Sequence, residues 1–418
     1  MLTIRRLGIV AVPLVFLGCG NGEAPFDEFH EEKQALSVTT PKVVKEIGDH
    51  FAARYSRADV LHSFTTEFGD DVECIPFASQ PTLRRPEFVG HVPMRAPVNP
   101  VLMEQQVRTD GAIRIPADTG FRGSDQRGRL RRCPADTVPM RRPAPGELER
   151  FSSLAQMFAK SPLHAPRTGS TEFHQYVGVG QAVDNWGIMA SFDIWNPAVQ
   201  TGSEFSLLQI SSYGGSGSGF QTVETGWHVY PNLYAGSTST RFWIYSTNAN
   251  YAAGSGCYNN TCSNFVQNPG TYCLGCALGP YSIQNGTHYY TDITTYKDLD
   301  NGSWWINKDG SWIGYYPRSN FTAIANSAAA GQWYGEIIEN PGGGHTTTDM
   351  GNGVFPGAGD AAEIDWMQYF QRNTFSQLVA NPTYFGGAGI TDSFCVTVHG
   401  LSTSAPGVLA QTLRAPRC

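Results

Sequence analysis

After its first twenty residues the sequence has no apolar run near the roughly 18 residues that a membrane helix needs, so none is expected in the mature chain. It also lacks a Gly-x-Ser-x-Gly elbow, a phosphate loop and a dinucleotide fingerprint in a strand-helix setting, so the common serine-hydrolase, nucleotide and hydride-transfer chemistries are not indicated. The histidines His174, His228, His288, His345 and His399 are scattered and lack the i,i+4 spacing of a helical zinc site, so no metal and no cofactor is expected. Charge is sparse, at 16% of 418 residues, and cations are scarcest late in the chain: residues 171–418 carry 7 Lys and Arg against 16 Asp and Glu. Residues 20–170 carry 20 against 20. Nucleic acid is therefore not an expected partner, and the change in balance marks a domain boundary.

The composition is globular, with 41% hydrophobic residues, and the length suffices for two ordinary domains with substantial cores. The opening "MLTIRRLGIVAVPLVFLGC" has two arginines, a short apolar run and a small residue before Cys19, which reads as an export signal over residues 1–19. Cys19 is a lipidation candidate, and a plain signal peptide cut nearby is the alternative. The expected location is secreted or cell-envelope, with a lipid anchor as the only membrane contact. Eight of the nine cysteines then remain for disulfides: Cys74, Cys133, Cys257, Cys262, Cys273, Cys276, Cys395 and Cys418. The cluster from Cys257 to Cys276 also fits a four-thiolate zinc site, but export favours disulfides, with three pairings open.

Residues 20–165 read as a small α+β unit: a helical stretch "PKVVKEIGDHFAARYSRADVLHSF", an arginine-rich loop, and a short amphipathic helix before a Pro/Ser/Gly-rich linker. Residues 166–418 read as short aromatic and β-branched segments between Gly, Asn and Pro turns, the texture of an antiparallel β-sandwich of jelly-roll or concanavalin type. "NKDGSW" predicts a hairpin turning at Asp309-Gly310. The sequons at Asn259, Asn285, Asn301 and Asn320 are glycan sites in a eukaryotic secretory path and otherwise serve as turns.

Within the strand-like "GFQTVETGWHVYP", alternation puts Val223, Thr225, Trp227 and Val229 on one face and Thr222, Glu224, Gly226 and His228 on the other. In "QWYGEIIEN", Glu336 shares a face with Tyr334 and Ile338, and Gly335 suggests close approach of another backbone or a ligand. A glutamate on a sheet's solvent face has the same periodicity. Two glutamates in one partly dry cleft have another use, because they cannot both ionise cheaply; one then serves as acid and the other as base. His228 is either a local partner of Glu224 or a hydrogen-bonded structural group.

These residues lie in motifs that resemble, in order, those of the neprosin family of glutamic peptidases: "TVETGWHVYPNLY", "TRFWIYST", "GCYNNTCSNFVQ", "GSWWINKDGSWIGYYP", "WYGEIIE" and "TTTDMGNGVFP". The first half resembles that family's propeptide in "DDVECIPFASQPTL" and "CPADTVPMRR". The resemblance implies a secreted, acid-active endopeptidase that often cuts after proline, with a β-sandwich catalytic domain and a propeptide that acts as its intramolecular inhibitor. It maps the catalytic glutamates onto Glu224 and Glu336 and a family glutamine onto Gln209 of "LLQIS". Trp227, His228 and Tyr334 join Gln209 as candidates for substrate or oxyanion contact. Two departures stand out: Ala235-Gly236 replaces the usual Gly-Asp, and Tyr334 replaces a common glycine and narrows the expected cleft. The implied partners are a peptide or protein substrate and the chain's own propeptide, drawn to the acidic second half by its arginines. A carbohydrate-binding sandwich and a two-carboxylate glycosidase are the rival readings.

Overall fold

The structure, a computed structural model, describes residues 40–88, 90, 94–98, 114–160, 173–270, 272–339, 346–354, 361–372, 378–382, 387–390, 397–399 and 412–414. The leader, Cys19, Cys395, Cys418 and the linker at 162–170 lie outside the described residues. Residues 37–418 form one compact unit.

The N-terminal part contains α1 (Pro41–Ala53), β1 (His62–Thr65), β2 (Asp71–Pro76), β3 (Arg114–Pro116), β4 (Thr137–Arg141), α2 (Pro145–Leu148) and α3 (Leu154–Phe158). The long helical stretch expected from the sequence stops at Ala53, and a capped 3-10 turn at Arg57–Asp59 follows. The amphipathic helix before the linker is likewise two short pieces, α2 and α3. Then come β5 (Phe173–Gln181), β6 (Gly187–Asp193), β7 (Phe205–Gly214), β8 (Gln221–Val229), β9 (Arg241–Thr247), β10 (Gly256–Tyr258), β11 (Val266–Gln267), β12 (His288–Lys297), β13 (Trp304–Lys308), β14 (Ser311–Tyr316), β15 (Ala330–Glu339) and β16 (Ile364–Arg372). The last strands are β17 (Leu378–Pro382), β18 (Gly387–Ile390), β19 (Thr397–His399) and β20 (Thr412–Arg414).

Two large sheets form the sandwich. One runs β10-β9-β8-β7-β15-β5-β18, the other β11-β14-β13-β12-β6-β16-β17 with β3 beside β12. Pairing is antiparallel except between β3 and β12. The inward faces meet in a core that includes Val177, Leu208, Val223, Trp227, Trp333 and Ile337 from the first sheet and Ile188, Phe192, Trp304 and Ile364 from the second. A buried indole N–H needs an acceptor. Those of Trp227 and Trp333 find theirs across the core, at Asp193 O (2.9 Å) and Met189 O (2.8 Å) of β6, and so fasten one sheet to the other.

The β13–β14 hairpin turns at Asp309 and Gly310, both at positive φ, as the Asp-Gly pair predicts. Disulfides join Cys74 to Cys133, Cys257 to Cys262 and Cys273 to Cys276, so the clustered thiols pair locally and form no zinc site. Asn259 is buried at φ 56°, with its amide spent on Ile244 N and Tyr234, so this sequon serves as a turn.

Ala235 caps the turn Pro231–Tyr234 at φ 55°, ψ 27°, a left-handed conformation that costs a residue with a Cβ about 1 kcal/mol. Ala235→Gly is expected to raise stability by about 0.5–1 kcal/mol, read as a higher denaturant midpoint at unchanged slope. An unchanged or lower midpoint would contradict a strain cost at this position.

Candidate active site

On β8 the outward residues are Thr222, Glu224, Gly226 and His228, and on β15 they include Tyr334, Glu336 and Ile338. Strand β7 lies between the two. Its Gln209 stands opposite both Gly226 and Tyr334, while Glu224 stands opposite Ser211 and Glu336 opposite Leu207. The two glutamates therefore flank Gln209 diagonally, two residues along in opposite directions, on one face of one sheet. They are not hydrogen-bonded to each other. A Cβ at Gly226 would meet Leu208 O at 2.0 Å and Gln209 Cα at 2.7 Å, so glycine is what allows β7 to approach here.

This face is covered, so neither glutamate is solvent-facing: relative exposure is 0% for Glu224 and 2% for Glu336. The cover is apolar and comes from the N-terminal part, where Ile47, Phe151 and Met157 pack on Phe205, Trp243, Tyr245, Tyr258 and Tyr334. The interface is pinned by Asp70, which pairs with Arg241 at 2.6 Å and accepts from Ala277 N. This pair has the reverse of the expected sign, whereas the pair of Lys160 with Glu224 has the expected one. The arginine-rich loop serves its own acids instead, with Arg122 on Asp118, Arg129 on Asp125 and Arg141 bidentate on Glu147, because close sequence neighbours need the least chain ordering.

Buried carboxylates need donors. Glu224 Oε1 accepts from Thr222 Oγ1 (2.6 Å) and from the Tyr251 hydroxyl (2.7 Å). Its Oε2 holds the ammonium of Lys160, which also donates to Gln209 Oε1 (2.9 Å) and lies 4.5 Å from the centre of the Trp243 ring. Glu336 Oε1 lies 2.6 Å from His174 Nδ1, and the Tyr176 hydroxyl donates to the same carboxyl group. Around this constellation Gln209 Nε2, Ser211 Oγ, His174 Nε2, Trp243 Nε1 and the Tyr334 hydroxyl are buried without a hydrogen-bond partner among the described residues. So many unmet polar atoms on one face are unusual unless something polar binds there.

Burial raises the phenols of Tyr251 and Tyr176 well above their ordinary value, with Glu224 adding to the first and Glu336 to the second, so both stay protonated donors. The Tyr334 phenol is raised by burial and then by both glutamates, which places it within the field of each. Gly178 opposite it leaves the room: a Cβ there would lie 2.3 Å from the Cβ of Tyr334.

His228 does not pair with Glu224. Its Nε2 bonds the Tyr234 hydroxyl (2.8 Å) and its ring stacks on Trp243. Burial, then Arg241 and Lys160, hold its pKa well below the ordinary value. The unfolded chain, with an ordinary imidazole near ~6.5, takes up a proton that the folded chain refuses, so stability falls as pH drops below about 6.5. The limiting slope is about 1.4 kcal/mol per pH unit. In urea unfolding at several pH values, His228→Gln is expected to lose less stability between pH 7.5 and 5 than wild type; equal losses would refute the assignment.

Two further expectations are corrected. Trp227 is not a substrate contact, because alternation turns it into the intersheet core at 0% exposure. Gly335 admits neither ligand nor backbone: a Cβ there would meet Met350 Sδ at 2.7 Å and Leu208 Cδ2 at 3.0 Å, so it makes room for core side chains. Sequence reasoning passed over Lys160, His174, Tyr176, Thr222 and Tyr251. Alternation already places Thr222 on the Glu224 face, without assigning it a role, and Tyr176 could have been found in the same way, two residues from His174 on its strand. Lys160 carries no signal, being a lone lysine at the end of a short helix.

Residues 202–393 match the Neprosin family model. Among solved structures the chain is similar to scytalido-glutamic peptidase with a transition state analog inhibitor, at 10% identity and a TM-score of 0.30, over 58% of this chain and 99% of that one. It is similar with the same identity and coverage, at a TM-score of 0.27, to SCP-B, a member of the Eqolisin family of peptidases, in complex with the tripeptide Ala-Ile-His. CG-16, a homodimeric agglutinin from chicken liver, matches at 7% identity and a TM-score of 0.20, over 46% of this chain and 99% of that one.

Proposed function

We infer that the protein is an endopeptidase of the glutamic type, made as a zymogen and active in acid, with Glu224 and Glu336 as its catalytic pair. The observation that carries this is two buried glutamates on one face, flanking Gln209 and ringed by unpartnered donors. One glutamate, ionised, takes a proton from water as it attacks the scissile carbonyl. The other, protonated, donates to the carbonyl oxygen; the first then passes the water's proton to the leaving amine as the C–N bond breaks, and the second recovers its proton from a hydroxyl of the collapsing tetrahedral intermediate. The amide of Gln209, with a free Nε2–H between them, is suited to the developing oxyanion, and the outward aromatic side chains give an extended peptide its apolar bed.

Latency is supported by Lys160, whose ammonium sits on Glu224 and Gln209 where water and substrate would bind. Export, with or without a lipid on Cys19, and cleavage after proline complete the proposal, and both follow from the sequence motifs. The test is hydrolysis of a proline-containing peptide, with oligosaccharides alongside, across pH 3 to 8 in the presence of a chelator or a serine-directed inhibitor. Peptide cleavage that is greatest in acid and indifferent to both reagents is expected. Cleavage of sugars alone, or loss of activity with chelator, would refute the reading.

A further inference from the structure

Glu224 is held in a way that the two-carboxylate reading does not require. Both donors on it, Thr222 and Tyr251, choose the same oxygen, Oε1, which leaves Oε2 to the position that Lys160 occupies. Thr222 is close by geometry, two residues away on the same strand face. Tyr251 is not: it belongs to the β9–β10 connection and reaches Glu224 only through an unusual backbone. Asn250 and Tyr251 are consecutive at φ 49° and 58°, in the left-handed region where neither residue has glycine's freedom. Backbone bonds fix the bend, Asn250 N–H donating to Phe220 O (2.8 Å) and Tyr251 N–H to Thr247 Oγ1 (3.0 Å). The ring is then clamped against Tyr245, 6.1 Å between centres, and Phe220. Strain of this kind persists only where the surroundings impose it, and it gathers at sites where a side chain must be aimed.

We infer that Tyr251 is a positioning residue for Glu224: its hydroxyl fixes Oε1 and so directs Oε2 alone toward water and substrate. This rests on the reading that Glu224 is catalytic. The carboxyl group would otherwise turn about its terminal torsion, which is broad and roughly two-fold, and present either oxygen. Two neutral donors on one oxygen suppress that motion without adding a charge that would compete with the substrate. The phenol's raised pKa keeps it a donor throughout the working range.

The test uses the full chain incubated at acid pH, with steady-state peptide hydrolysis followed across pH for wild type, Tyr251→Phe, Thr222→Val, Phe220→Leu and Glu224→Gln. Tyr251→Phe keeps the ring and its packing and removes only the donor. It is expected to lower kcat about 10-fold or more with KM within about twofold. A carboxylate that loses a donor binds its proton more tightly, so the pair's profile should shift toward higher pH by on the order of one pH unit. Thr222→Val should shift the profile in the same direction. Phe220→Leu, which loosens the clamp but leaves both donors, should lower thermal stability and leave both limbs in place. If folded Tyr251→Phe keeps wild-type kcat and both limbs, or changes KM alone, the positioning role is overturned. Glu224→Gln separates the two ideas: hydrolysis that persists in that variant removes Glu224 from the chemistry, whatever Tyr251→Phe does.

Discussion

Glu224→Gln and Glu336→Gln are each expected to lower peptide hydrolysis by on the order of 100-fold or more at every pH, because each removes a proton exchange that the reaction needs while keeping nearly the same shape. Wild-type activity should follow a bell with its maximum at roughly pH 3 to 6, since a carboxylate pair works only while one member is charged and the other protonated. Both limbs are macroscopic and belong to the pair. Folding should survive both changes. At Glu224 the amide oxygen can still accept from Thr222 and Tyr251, and at Glu336 it can still accept from Tyr176. At position 224 the variant also loses the ion pair with Lys160, so its N-terminal part should be held less tightly, a secondary effect visible as easier proteolysis. Rates near wild type in both variants would place the catalytic groups elsewhere.

The second large effect concerns Lys160. Its side chain is 4% exposed and bridges Glu224 and Gln209, so on the proposed reading it neutralises one member of the carboxylate pair and fills the position of the reacting water. Truncating one partner of a buried pair costs several kcal/mol, since the other charge stays behind uncompensated. Lys160→Ala is therefore expected to loosen the cover made by Ile47, Phe151 and Met157 and to give the uncut full-length protein peptidase activity on the order of 10-fold or more above the uncut wild type. Lys160→Arg, which keeps the charge, should stay closer to latent. The measurement is initial hydrolysis before any chain cleavage is visible on a gel. Equal latency in wild type and Lys160→Ala would show that the lysine is not the inhibitory contact.

How far the sequence reached differs from residue to residue. The strand texture, the Asp309-Gly310 hairpin and the outward setting of Glu224 and Glu336 were legible because each depends on neighbours within a few positions: two-residue alternation, turn chemistry and local aromatic content. The disulfide-rich character rests on composition in the same way. Alternation also held the correct answer for Trp227, which it placed on the face opposite Glu224, and only its motif neighbourhood drew it into the expected site.

Tertiary structure decided the rest, because contacts distant in sequence leave no periodic trace. The order β8-β7-β15 puts Gln209 between two glutamates that are far apart along the chain. The contact of His174 with Glu336 follows from β5 pairing with β15, and that of Lys160 with Glu224 from a short helix docked on an apolar sheet face. That docking buries the face that carries both glutamates, and burial is what raises the Tyr251 and Tyr176 phenols and keeps them donors. The sequence by itself determined which side chains stand on each strand face, since backbone geometry fixes that residue by residue. Which of those faces would be covered, and by which charge, was fixed only when the folded chain brought Lys160, Tyr251 and Glu224 together.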